Sequence, residues 1–200
     1  MICIKCKSNQ RSTTGERMNL TEAAITTNTM QNWRKEDDSF WKDTLFEKFK
    51  NMSSVRKGSQ GEKLTADLME QLGSHVPRDK KGRPKKPKGA GSEYDLFLDH
   101  RKVEVKTSTT WDNVKNSFKW QQLRSTQDYD RVIFVGINPN EIYLWWCTKE
   151  DLKNNIFGKN KHRQHAGKNG EQELYWLGTN GDTDLPEVPA WFREIGSWND

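Results

Sequence analysis

Between residues 93 and 106 the chain alternates with a period of two, twice in succession, and no other stretch constrains its fold as strongly. Glu93-Tyr94-Asp95-Leu96-Phe97-Leu98 and Lys102-Val103-Glu104-Val105-Lys106 read as strands on either side of Asp99-His100-Arg101, a break that suits a hairpin. Closed symmetrically on His100 and Arg101, the hairpin sets Leu98 against Val103, Leu96 against Val105 and Asp95 against Lys106. Side chains alternate across a strand, so Tyr94, Leu96, Leu98, Val103 and Val105 make a core face. The opposite face collects Glu93, Asp95, Glu104 and Lys106. Converging carboxylates on adjacent strands destabilise a sheet unless a cation lies between them, and a hard divalent ion is the natural resident.

The surroundings of this hairpin read as an α/β domain. Upstream, Phe40, Trp41, Leu45, Phe46, Phe49 and Met52 recur at helical spacing. A second helix carries Leu64, Leu68 and Leu72, with Gly73 placed to stop it and Glu62 on its flank, off the apolar stripe. Downstream, 131–137 and 142–147 are apolar runs separated by the turn signal Asn138-Pro139-Asn140-Glu141. Phe118 to Arg124, with Trp120 and Leu123, is expected to be a helix. Thr148 opens another, with Asp151 three residues on as its capping partner. Three regions follow: an N-terminal helical elaboration over 1–38, a core over 39–157, and a C-terminal extension over 158–200 that packs on the core or a dimer interface.

With 200 residues and nine Trp the chain can bury one core, and its excess of 33 Lys and Arg over 28 Asp and Glu gives a net charge of +5. The distribution says more than the total. Residues 77–91 hold seven cations, three prolines and three glycines. Prolines exclude a helix and the charge excludes a buried strand, so this is an exposed loop. Seven like charges against one Asp repel one another unless a polyanion neutralises them, so the segment is read as a cationic arm.

Asp95, eight intervening residues, then Glu104-Val105-Lys106, on a hairpin after a helix bearing Glu62, resembles the PD-(D/E)xK nucleases, a superfamily that includes many type II restriction endonucleases. The resemblance spans residues 58–152 in order of elements. Tyr94 stands where the motif has proline, and neither 1–57 nor the chain beyond 158 matches the family. It implies a restriction-endonuclease-like core, a mixed β-sheet flanked by helices. It also implies that Asp95, Glu104 and the backbone carbonyl of Val105 hold Mg²⁺, that Glu62 touches the metal or its water shell, and that Lys106 orients the attacking water.

Binding of double-stranded DNA is then assigned to Arg78, Lys80, Lys81, Arg83, Lys85, Lys86 and Lys88 for phosphate contact. Asn113, Asn116, Gln121, Gln122 and Arg124 are the expected base readers, since amides pair with adenine and guanidinium groups with guanine. Cutting both strands with one site per chain is most simply done by a homodimer. The leading expectation is a sequence-specific type II restriction endonuclease. Its rivals are a phage, mobile-element (homing) or repair nuclease of the same fold and, in another class, a non-catalytic DNA-binding protein using the basic arm and a 20–33 segment that resembles a helix-turn-helix. For that segment a plain packing pair is the preferred reading.

No apolar run is long enough to cross a membrane, and Met1-Ile2-Cys3-Ile4-Lys5 has no leader character, so a cytoplasmic protein, prokaryotic or phage-encoded, is expected. Cys3 and Cys6 form half of a zinc site at most. His162 and His165 lie far beyond finger spacing, and structural zinc is not expected. Cys147 ends an apolar strand and reads as buried packing.

Overall fold

The computed structural model describes residues 41–85, 93–110, 116–164, 174–179 and 185–199. The N-terminal segment, Lys86, Lys88, Asn113, Cys3, Cys6 and His165 lie outside these described residues, with the readings attached to them.

Helix α1 (Glu47–Lys50) is short, and the apolar stripe before it forms turns rather than the longer helix its spacing predicts. Trp41, Phe46 and Phe49 are buried nonetheless. Helix α2 (Ser54–Gln71) is capped by the Ser53 side chain, which accepts from the Arg56 N–H at 3.4 Å. It ends at Gly73, whose φ of 91° is the left-handed conformation expected of a terminating glycine.

The main sheet is five-stranded, in the order β1 (Leu96–Leu98), β2 (Arg101–Thr109), β4 (Arg131–Ile137), β5 (Ile142–Thr148), β7 (Arg193–Glu194). It is mixed, because β2 and β4 run parallel while every other neighbouring pair is antiparallel. Parallel neighbours need a crossover. Here it carries β3 (Lys119–Arg124), which pairs with β6 (Leu174–Gly178) in a separate two-stranded ribbon. Helix α3 (Lys149–Asn155) follows β5 with the expected capping box, Thr148 and Asp151 bonding each other's backbone N–H.

Each face of the sheet buries its own cluster. Leu64, Ala66, Leu68 and Met69 of α2 pack with Leu96, Leu98, Val103, Val105, Ile133 and Val135 on one face. On the other, Trp120 and Leu123 of β3, Tyr175 and Leu177 of β6 and Leu152 of α3 pack with Val132, Phe134, Trp145 and Cys147. The fold is thus α/β with helices on both sides of a mixed sheet.

Three readings are corrected. The expected 118–124 helix is instead strand β3 from Lys119, with its irregularity between Trp120 and Leu123, where Gln122 takes a φ of 58°. That extra residue returns Leu123 to the buried side, so Trp120 and Leu123 stand three apart and mimic helical spacing. The β1–β2 turn is Asp99-His100, with φ of 47° and 65°, the mirror-image two-residue turn that strand twist favours. Leu96 therefore pairs with Val103 and Leu98 with Arg101, two residues from the expected register. Tyr94 precedes β1 and joins the second cluster, not the α2 face.

Gly61 on α2 fixes how closely that helix meets β2. A methyl group there would lie 2.1 Å from Thr107 Oγ1 and 2.9 Å from Thr107 Cβ. Gly61→Ala should cost about 1–3 kcal/mol in denaturant unfolding as helix and strand are forced apart; an unchanged midpoint would contradict this packing.

Candidate active site

Glu104 lies in the middle of the sheet, yet it is a carboxylate. It is 4% exposed and sits beside Val132 of β4, on the face of the aromatic cluster. Lys106, two residues on, shares that face and donates from Nζ to Glu104 Oε1 at 2.6 Å. The other oxygen, Glu104 Oε2, is buried without a hydrogen-bond partner.

Asp95 comes alongside because of the turn. Asp95 lies just before β1, outside the paired register, and its carboxylate comes beside that of Glu104 rather than opposite Lys106. Its backbone N–H donates to the Val103 carbonyl at 3.0 Å, and its Oδ2 accepts from the Val105 N–H at 2.8 Å. In extended chain the N–H and C=O of one residue point the same way, so the Val105 carbonyl is directed to the Asp95 side, past the end of β1. The slip of two residues changed the partners but kept Leu96, Leu98, Val103 and Val105 on one face and Glu104 on the other, while Tyr94, before β1, left the face expected of it.

Burial and the neighbouring Asp95 carboxylate push the Glu104 carboxyl up to about 7, although the Lys106 ammonium pulls the other way. Asp95 is near enough to hydrogen-bond with it, so protonated Glu104 shares its proton with Asp95, and Oε2 is left bare once both carboxyls are ionised. The donor set is therefore two carboxylates, one with a bare oxygen, and a backbone carbonyl. Among the described residues no three His, Cys, Asp or Glu side chains gather as a metal site. Mg²⁺ commonly takes only one or two carboxylates, keeping water elsewhere, and this set suits it better than Zn²⁺.

Tyr129 was not singled out in the sequence, since nothing around it forms a motif. Burial first, and then the Glu104 charge, hold its phenol well above the ordinary range. Its hydroxyl donates to the Arg124 carbonyl at 3.1 Å, and it stays neutral near Glu104. Glu62 is half-buried beside Gly61, on the helix that covers the opposite face of β2 from Glu104 and Lys106.

The expected DNA contacts divide. Lys80, Lys81, Arg83 and Lys85 are exposed, as are Gln121 and Gln122. The Gln122 N–H donates to Gln164 Oε1 at 3.0 Å, bringing a third amide to that corner of the ribbon. Arg124 is half-buried. Asn116 is fully buried, with Oδ1 accepting from Asn138 at 3.0 Å and Tyr143 at 3.3 Å, so it braces the loop before β3 and cannot face a base. Arg78 is not a free cation either, being tied to Asp67 and Glu70 at 2.7 and 2.9 Å. Cys147 is buried, which raises its thiol and leaves it as packing. No helix among the described residues is long and apolar enough to cross a membrane.

No family model matches the chain, and no curated protein does. Among solved structures, the bacterial homing endonuclease I-Ssp6803I is similar at 15% identity and a TM-score of 0.37, over 74% of this chain and 91% of that one.

Proposed function

We propose that the chain is a Mg²⁺-dependent endonuclease of the PD-(D/E)xK type, hydrolysing phosphodiester bonds of double-stranded DNA. The observation that carries this reading is the bare, buried Oε2 of Glu104, set beside Asp95 and with Lys106 on its twin oxygen. Lys106 compensates one oxygen of a carboxyl pair that carries two charges when ionised, and a divalent cation bound there would compensate the rest.

Asp95, Glu104 and the Val105 carbonyl would hold the ion, and Glu62, on the helix across β2, stands apart from this set. Bound there, it supplies Lewis acidity toward the scissile phosphate and a nearby water. Glu104 and Asp95 act ionised, and a cation removes the reason for Glu104 to keep a proton near neutral pH. Lys106 then turns part of its hydrogen bonding from Glu104 to the water, holding it in line and favouring its deprotonated form.

The role most in keeping with a single small catalytic body is a type II restriction endonuclease acting as a homodimer. Purified protein incubated with plasmid DNA and Mg²⁺ should yield discrete fragments bearing 5′-phosphate ends, and none in EDTA. A smear would transfer the chemistry to a less specific nuclease. No cleavage of any duplex with any divalent ion would end the proposal.

A further inference from the structure

The cationic segment is a built element, not a loose arm. Arg78 bridges to Pro84, the Asp79 N–H donates to the Arg83 carbonyl at 2.9 Å, and the Lys85 N–H donates to the Pro77 carbonyl at 2.7 Å. Gly82, at a φ of 72°, makes the tight end of the turn. Asp79 Oδ1 gathers the N–H groups of Lys81 and Arg83 at 2.8 and 3.0 Å, and its Oδ2 accepts from Arg83 Nε at 2.8 Å. Lys80, Lys81 and Lys85 project from this finger with no ion-pair partner among the described residues.

Arg78 stands at the root. Its Nη1 donates to the Gly82 carbonyl at 2.8 Å, inside the turn. Its Nε and Nη2 reach Glu70 Oε2 at 3.1 and 2.9 Å, and Nη2 also reaches Asp67 Oδ1 at 2.7 Å. All three guanidinium nitrogens are thereby engaged, two of them on α2 and one on the finger. The side chain is only 20% exposed. A planar fork of fixed donors can hold two partners in one geometry, and an ammonium cannot.

We propose that Arg78 is a positioning residue that latches the 77–85 finger to α2, so that Lys80, Lys81, Arg83 and Lys85 meet the DNA backbone already ordered. This rests on the reading of the chain as a DNA-binding nuclease. Asp67 and Glu70 thus assist DNA binding despite their charge, because they hold the latch. The helix that anchors the finger also abuts Thr107, beside Lys106, which ties the finger's position to the reactive strand.

The sign of one measurement decides. Affinity for a fluorescent mixed-sequence duplex in EDTA is compared for the full wild-type chain and the Asp67→Ala/Glu70→Ala double variant. Simple electrostatics makes the double variant bind more tightly, since it has lost two negative charges. The latch predicts weaker binding by about tenfold, the size of ordering two long side chains on association. Arg78→Lys keeps the charge and should weaken binding as much, and combining all three changes should add little more. Hydrogen exchange of the Asp79, Gly82 and Lys85 amides should speed up in each variant while α2 stays protected. Tighter or unchanged binding of the acid-free variant, or full affinity of Arg78→Lys, would overturn the latch and leave the nuclease reading standing. A wild-type chain that fails to bind the duplex at all would overturn both.

Discussion

Glu104→Gln should abolish DNA cleavage and at the same time make the metal-free protein more stable at neutral pH. Glutamine keeps the shape of the side chain and an oxygen for Lys106, but removes the buried negative charge beside Asp95. Between its ordinary value of 4.5 and the folded-state value of about 7, Glu104 binds more protons folded than unfolded. The stability associated with its protonated form is therefore complete below about 4.5 and lost as pH rises through about 7. At about 1.4 kcal/mol per unit, the penalty above that window is on the order of 3 kcal/mol. Denaturant unfolding in EDTA should accordingly show the wild type weakening from pH 5 to pH 8 and the variant changing much less. Added Mg²⁺ should restore the wild type at pH 8 and do little for the variant, because a ligand stabilises only what it binds. Cleavage should fall by about 10³-fold, as when one transition-state-stabilising group is removed. Retained cleavage would remove Glu104 from the site, and a flat wild-type pH profile would contradict the buried carboxyl pair.

What the sequence disclosed about this site followed from alternation, and what it concealed followed from turns and tertiary partners. The period of two in 102–106 placed Glu104 and Lys106 on one side and Val103 and Val105 on the other, and any even slip of register preserves that division. The register itself depended on whether the turn used Asp99-His100 or His100-Arg101. Composition cannot separate these, since Asp99 is held in place by distant groups, the His75 N–H at 2.7 Å and the Trp198 indole at 2.9 Å. Burial would raise the Asp99 carboxyl, yet those hydrogen bonds keep it below its usual range. Residues 118–124 misled because a bulge imitates helical spacing when its Gln122 is counted as one more step. The partner of β3 lies some fifty residues on, in a Gly- and Asn-rich stretch where Tyr175 and Leu177 give little local signal. Asn116 and Arg78 were misassigned for one reason: a polar side chain looks equally available in a sequence whether or not the fold has already bound it. The capping box at Thr148 and the glycine stop after α2 were legible because each is complete within a few residues.

Lys106→Met tests the other half of the pair, and its effect should invert that of Glu104→Gln on stability while matching it on activity. Methionine retains the apolar stem, but Glu104 is left buried with no cation on either oxygen. Removing one partner of such a pair costs about 3–5 kcal/mol, most of it the isolated charge that remains. The loss should be largest at pH 8 in EDTA and shrink toward pH 5, where Glu104 is protonated in the folded chain and needs no partner. Cleavage should fall by about 10²–10⁴-fold, the range for a group that holds and deprotonates the attacking water. Combining Lys106→Met with Glu104→Gln should recover much of the stability and none of the activity. That pattern separates the two roles of Lys106. As a structural counterion it becomes dispensable once its carboxylate is gone, whereas its handling of the water does not depend on that carboxylate. If the double variant were no more stable than Lys106→Met alone, the ammonium would be holding something other than Glu104. Equal cleavage by Lys106→Met and wild type would leave the pair as a structural ion pair without a part in the chemistry.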